Sequence, residues 1–178
     1  LQLPPEVLVF GRDGYVEELI REINTLLPEG YSAKRTKDVK SAHVSIVASK
    51  GADDESYRIS IGKERVNISA AGNTGRYWGT RTLLQMMSQN PTELPCGSSW
   101  DAPRYKLRGF MLDVGRLPIP MSYVKDVVKY MAWYKMNDLH IHLNDNYIFH
   151  EEYVDKGENP FEKSYAAFRL ESDMVGKN

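Results

Sequence analysis

The sequence predicts an α+β chain in which a small two-layer α/β sandwich is followed by a parallel strand–helix–strand unit. Two observations carry this. Tyr57, Ile59 and Ile61, and then Val66, Ile68 and Ala70, alternate with polar residues on either side of Lys63-Glu64, so a hairpin with one buried and one wetter face is expected, with helical stretches before and after it. Further on, RGFMLDVGRLPIPMSYVKDVVKYMAWYKMNDLHIHLNDN (108–146) reads as strand, amphipathic helix and strand, with Asp113 and Arg116 closing the first strand and Asp145 the second. Parallel strands joined by a helix gather their polar residues at their carboxyl ends, where α/β folds place chemistry.

The elements follow in order. Val7 to Phe10 is a short apolar run ended by the turn-forming GRDG. From Tyr15 to Leu27 the side chains Val16, Leu19, Ile20, Ile23, Leu26 and Leu27 share one helical face, and Pro28-Glu29-Gly30 stops the helix. His43 to Ser49 alternates as a strand. After the hairpin, a helix is expected over 74–88 with Thr74 as its cap, laying Tyr77, Leu84 and Met87 against the sheet. The stretch 90–104, with Pro91, Pro95, Gly97, Ser98, Ser99 and Pro103, reads as a linker. Next come a strand over Phe110 to Val114 and a helix over Met121 to Met136, with Val124, Val127, Val128 and Met131 at helical spacing. A second strand spans Leu139 to Leu143. The aromatic, charged stretch after Asp145 reads as a long loop. The expected organisation is a small domain at 1–89, the linker at 90–104 and a second domain from 105 to 178.

Composition excludes several classes. With 42% hydrophobic and 26% charged residues the chain supports a core, and a net charge of -1 gives no reason to expect nucleic acid as a partner. No apolar run approaches a bilayer-spanning helix, and LQLPPEVLVF lacks the basic leader and long apolar stretch of a signal peptide. Cys96 is the single cysteine, so no disulfide forms within the chain. A nucleotide-binding reading fails because no glycine-rich phosphate loop follows a strand; GNTGRYWG has the wrong spacing.

The residues carrying chemistry lie at the strand ends. By alternation Asp113 points away from Leu112, where an acid must be paired or hydrogen-bonded, and Arg116 follows just past the strand, its planar fork suited to two hydroxyls at once. The alternative is a structural ion pair between the two. His140 and His142 fall on one strand face, with Leu139, Ile141 and Leu143 on the other. A metal reading of HxH lacks further ligands at a recognisable spacing, so the histidines are expected to fill a polar layer and hydrogen-bond to neighbours such as Asp113. Asp145 is either a turn or capping aspartate or a functional carboxylate. Asp53-Asp54, Glu151-Glu152 and Glu171-Ser172-Asp173 read as solvated charge.

The pattern RGxxLDxxR, a helix, and KxNxLHxHLxD resembles the opening of the barrel domain of family-20 glycoside hydrolases, the β-N-acetylhexosaminidases and their relatives. The preceding ESYRISIGKERVNISAAGNTGRYWGTRTLLQMM is similar to the end of that family's small domain, in Gly75, Tyr77, Trp78, Gly79, Thr82, Leu83 and Gln85. Together the two cover most of the chain after about Glu55. The resemblance implies that the second unit begins a (β/α)8 barrel. A barrel needs roughly 250 residues, so the chain, which starts at Leu1 and stops after two barrel strands, is expected to be a piece of a longer enzyme. It further implies that Arg116 grips the ring hydroxyls of the terminal sugar and that Asp145 orients a histidine contacting the general acid. That histidine would come from a later strand and be neither His140 nor His142. The flanking Asn144 and Asn146 depart from the family, which often has a second aspartate there.

In the implied mechanism the substrate's own 2-acetamido oxygen attacks the anomeric carbon. An aspartate holds the amide and an adjacent glutamate protonates the leaving oxygen, an exception to the usual two-carboxylate scheme. Both belong to the end of the fourth barrel strand, so this chain alone is expected to be inactive. No cofactor or metal is implied. The implied partners are N-acetylhexosamine-terminated glycans, and for a glycan-degrading parent an extracellular or cell-surface location is favoured. The alternatives are a lacto-N-biosidase-type enzyme and a non-catalytic domain serving folding, oligomerisation or glycan contact.

Overall fold

The computed structural model describes residues 1–143 except 52, 117 and 118, together with Asp145, Lys156 and Gly157. The expected loop after Asp145, with His150 and the Glu151 and Glu171 clusters, lies outside the described residues, as do Asn144 and Asn146. The chain divides into two compact units, Leu1–Lys106 and Leu107–Asn178. Among the described residues no helix is long and apolar enough to cross a membrane.

The first unit is a six-stranded sheet carrying two helices. Its strands are β1 (Glu6–Phe10), β2 (Ser32–Arg35), β3 (Val44–Ala48), β4 (Tyr57–Ile61), β5 (Val66–Ala70) and β6 (Gly97–Asp101), in the spatial order β2-β1-β3-β5-β4-β6. The first four in that order run parallel, and β4 is antiparallel to both β5 and β6. The expected hairpin closes at Lys63-Glu64, where the Gly62 amide donates to the Arg65 carbonyl at 2.9 Å.

Helix α1 (Val16–Leu26) buries Val16, Leu19, Ile20 and Ile23, the stripe the spacing predicts, and α2 (Asn73–Gln89) buries Trp78, Leu83, Leu84 and Met87. Both helices lie on one face of the sheet, over Val7, Val9, Val44, Ile59, Val66 and Ile68. They touch each other directly. Both terminal nitrogens of Arg81 on α2 donate to the Glu22 carboxylate on α1 at 2.7 Å, and Tyr15 meets Tyr77 edge to face at 5.1 Å. Helices on opposite faces of a sheet could not come that close. Tyr77 therefore faces α1 and the Arg81 guanidinium rather than the sheet, unlike Leu84 and Met87.

Three further details differ from expectation. Strand β2 was not anticipated, because SAKR has no apolar run and buries only Ala33. It forms because β1 offers a parallel partner on one side and the Asn24 side chain closes the other, donating to the Ala33 carbonyl at 3.0 Å and accepting its amide at 2.7 Å. Residues 97–101, inside the expected linker, are strand β6, held by main-chain pairing to β4. Thr74 is not the cap of α2. Gly72 occupies that position, while the Gly75 amide donates to the Asp54 carbonyl at 2.7 Å and the Thr74 hydroxyl to the Asp54 carboxylate at 2.6 Å. Asp54, read as solvated charge, thus ties down the first turn of α2.

The second unit consists, among the described residues, of β7 (Gly109–Asp113), α3 (Met121–Trp133) and β8 (Asp138–His142), with β7 and β8 parallel as predicted. Among its described residues Leu112, Val114 and Met131 are the buried apolar side chains; Val128, expected on the same stripe as Met131, is exposed. The motif residues before the strands have structural work. The Arg108 amide donates to the Asn137 side chain at 2.9 Å, the Asn137 amide to the Arg108 carbonyl at 3.0 Å, and Arg108 Nε to the Lys135 carbonyl at 2.7 Å. Together they pin the entry to β7 against the entry to β8 and hold Lys135 at φ 56.

Candidate functional site

The register of the second unit determines what meets at its strand ends. Asp113 stands opposite His142, and Met111 opposite His140, so these four share one face while Leu112 and Ile141 point the other way. Beyond Asp113 the chain turns sharply. The amides of Gly115 and Arg116 both donate to Asp113 Oδ1, at 3.0 and 3.1 Å, and the amides of Val114 and Gly115 donate to the His142 carbonyl at 3.0 and 2.9 Å. An aspartate folding its own backbone over in this way is an Asx-type turn, and it fixes where Arg116 leaves the strand.

The Arg116 guanidinium then lies between two carboxylates. Its Nη1 is 3.5 Å from Asp113 Oδ2, and its Nη2 donates to Asp145 Oδ2. The same Asp145 oxygen is 2.8 Å from His142 Nε2. Asp113, Arg116, Asp145 and His142 therefore form one connected polar chain across the carboxyl ends of β7 and β8. With Nε2 protonated, His142 donates to Asp145, which sets its tautomer. All four are partly open to solvent, Arg116 most of all, with 44% of its side chain accessible. The two ion pairs leave part of the guanidinium's five donors for a ligand, already oriented by the acids.

Two expectations change. The ion pair between Asp113 and Arg116 is present, but Asp145 joins it. His142, expected to hydrogen-bond to Asp113, turns its Nε2 to Asp145 instead. The period of two places His142 and Asp113 on neighbouring strands but does not say where Asp145, beyond the strand end, lies relative to them. His140 is exposed. Among the described residues no three His, Cys, Asp or Glu side chains converge to hold a metal ion.

A two-layer sandwich followed by a parallel β/α unit, with charge gathered at the carboxyl ends of its strands, defines a modular α/β protein with barrel-type site placement. The comparisons specify which. Residues 11–102 match glycosyl hydrolase family 20, domain 2, and residues 105–156 match the catalytic domain of the same family. The chain belongs to glycosyl hydrolase family 20. It is 39% identical over 97 residues to a beta-hexosaminidase of Akkermansia muciniphila, a match covering 53% of this chain and 20% of that protein. It is 30% identical over 100 residues to a lacto-N-biosidase of Bifidobacterium bifidum, covering 55% of this chain and 9% of that protein. Its fold superposes on the crystal structure of a beta-N-acetylhexosaminidase from Bacteroides fragilis with a TM-score of 0.66 and 28% identity, over 82% of this chain and 29% of that one. The chain spans about a fifth of the length of the beta-hexosaminidase it matches.

Proposed function

We propose that this chain belongs to a glycosidase that removes terminal N-acetylhexosamine, N-acetylglucosamine or N-acetylgalactosamine, from glycans by substrate-assisted, retaining hydrolysis. The observation that carries the reading is the succession of two family-20 domains in family order, 11–102 and then 105–156, with a charged site at the first barrel strands. In this reading Arg116 takes two ring hydroxyls of the terminal sugar, and Asp113 and Asp145 hold its fork in place. Asp145 accepts an N–H from an imidazole, the general way in which a carboxylate fixes tautomer and supports a developing positive charge on the ring. The acetamido-holding aspartate and the acid glutamate belong to a later barrel strand, so this chain supplies substrate grip and positioning and not proton transfer.

A second reading within the family is favoured by the similarity to a lacto-N-biosidase, which would release a disaccharide rather than one sugar. The test is to offer the full-length protein aryl glycosides of N-acetylglucosamine and of lacto-N-biose. Release of aryl alcohol from the monosaccharide glycoside supports the first reading, and release from the disaccharide alone supports the second. Hydrolysis of neither would leave the small unit as an accessory domain and overturn the proposal.

A further inference from the structure

The first unit has a crevice of its own, far in sequence from the barrel strands. Strand β1 lies where the strand order reverses: it leads through α1 to β2 on one side, while β3, on the other, leads on towards β5 and β4. Beyond the carboxyl ends of parallel strands at such a point, α/β sheets bind ligands. The opening here has a definite cause. Strand β1 pairs with β3 over only Val9↔Val44 and Phe10↔Ser45, whereas β3 continues to Ala48 alongside β5. Past Phe10 the chain turns away through Gly11, Arg12 and Asp13, leaving a hollow of about 380 Å³ beside the end of β3. That volume suits a small organic molecule.

The lining is apolar below and cationic at the rim. Phe10, Ile46, Val47 and Ala48 form the floor, and Phe10 and Arg12 also line an adjoining hollow of about 410 Å³ that contains Arg35, Thr36 and Lys37. Of the charged side chains lining the two hollows, Arg12, Arg35, Lys37 and Arg76 are cationic and only Asp13 is anionic. Asp13 is already neutralised, since Arg76 grips both its oxygens at 2.9 and 3.0 Å, and Arg35 is paired with Glu17 at 2.8 Å. Arg12 and Lys37 have no hydrogen-bond or ion-pair partner among the described residues.

We infer that this crevice binds a small organic anion: an oxyanion head (carboxylate, sulfate or phosphate) held by Arg12 and Lys37, on a ring-sized body resting against Phe10 and the end of β3. The Asp13–Arg76 pair builds the wall and stays neutral as a unit, so the crevice keeps a positive excess. An oxyanion satisfies Arg12 in the two-pronged geometry that a guanidinium favours. This site is independent of hydrolysis and stands whether or not the glycosidase reading does.

The test is an amide-shift titration of this chain at constant ionic strength with glucose 6-sulfate, glucose 6-phosphate, glucuronate, glucose and inorganic sulfate. At least one charged sugar is expected to shift the amides of Phe10 to Asp13, Lys37 and Val47 saturably, and the strongest of the three identifies the head group. Glucose and inorganic sulfate are expected to bind far more weakly. Arg12→Ala should weaken binding about tenfold. Arg12 is exposed, and Arg12→Gln, which keeps most of the side chain's bulk, serves as a second variant should the first perturb folding. No saturable shift with any charged sugar would overturn the proposal. Equal binding of glucose or of bare sulfate, or undiminished binding by both variants, would overturn it as well.

Discussion

Arg81 shows how a single residue can hold two layers together. Its side chain is only 4% exposed, yet both terminal nitrogens reach Glu22 on the other helix, and its guanidinium lies 4.5 Å from the centre of the Tyr77 ring. A buried cation without its acid is costly, so Glu22→Gln should lower the unfolding free energy by about 2 kcal/mol or more in urea titration. A variant as stable as the parent would show that water replaces Glu22 at no cost. Nothing in the sequence marked this pair, because Arg81 and Glu22 lie 59 positions apart on faces that only the packed helices bring together. Asp13 gives a prediction with a pH signature. The hydrogen bond from Arg76 holds its carboxyl below the usual range against the opposing effect of burial, whereas burial pushes the neighbouring Tyr15 hydroxyl up. A carboxylate whose folded-state pKa is depressed contributes stability that is present above the unfolded value of about 4 and is lost as pH falls through the folded one. Asp13→Asn should therefore cost about 2 kcal/mol at pH 7, with the difference from the parent shrinking steadily below about pH 4. A difference independent of pH would assign the effect to packing.

At the scale of elements, helix α2 explains the glycines in GNTGRYWG. A Cβ on Gly75 would come within 2.3 Å of the Ser56 carbonyl oxygen, and one on Gly79 within 2.4 Å of Ile68 Cγ2 and 3.1 Å of the Tyr57 ring. The helix lies so close to β4 and β5 that only hydrogen fits at either position. Gly79→Ala, which in an exposed helix would add stability, should here destabilise by roughly 1–3 kcal/mol through overpacking, measurable as a lower unfolding midpoint. An unchanged or higher midpoint would mean that the helix can shift outward freely. The elements legible in sequence, α1, α2, the hairpin and the β7–α3–β8 unit, are those whose own periodicity decides their state. Strands β2 and β6 were missed for the opposite reason. SAKR and GSSWD have no apolar alternation, and they are strands only because β1 and β4 present open edges to them. The GRDG stretch was rightly read as a turn, but the crevice beside it depends on how far β3 outruns β1, which is a register and leaves no local pattern.

For the molecule as a whole, the family motifs proved legible from about Glu55 onward, whereas the matched region begins at residue 11. The earlier part carries α1 and β1, whose amphipathic patterns are common to many folds and single out none. At the site, the placement of Asp113, Arg116 and Asp145 at strand ends was readable from the alternation of residues. That Asp145 bridges Arg116 and His142 was not, since alternation along β8 does not extend to a residue beyond its end. In the proposed reading Arg116 grips the sugar while the acid and acetamido-holding pair come from a later barrel strand, so the purified 178-residue chain should show no hydrolysis of an aryl N-acetylglucosaminide. General acid catalysis typically contributes about 10²–10⁴-fold, and positioning alone does not replace it. Turnover by the chain free of contaminating enzyme would contradict that division of roles. The central claim, that the strand ends described here form the sugar-gripping half of a hexosaminidase site, is tested most directly by kcat/KM of the full-length protein carrying Arg116→Ala. Each charge-assisted hydrogen bond to the sugar contributes roughly 1.5–3 kcal/mol, so at least about a tenfold fall is predicted, with Arg116→Lys restoring only part of it. An alanine variant with the parent's kcat/KM would contradict the account and leave Arg116 a purely structural partner of Asp113 and Asp145.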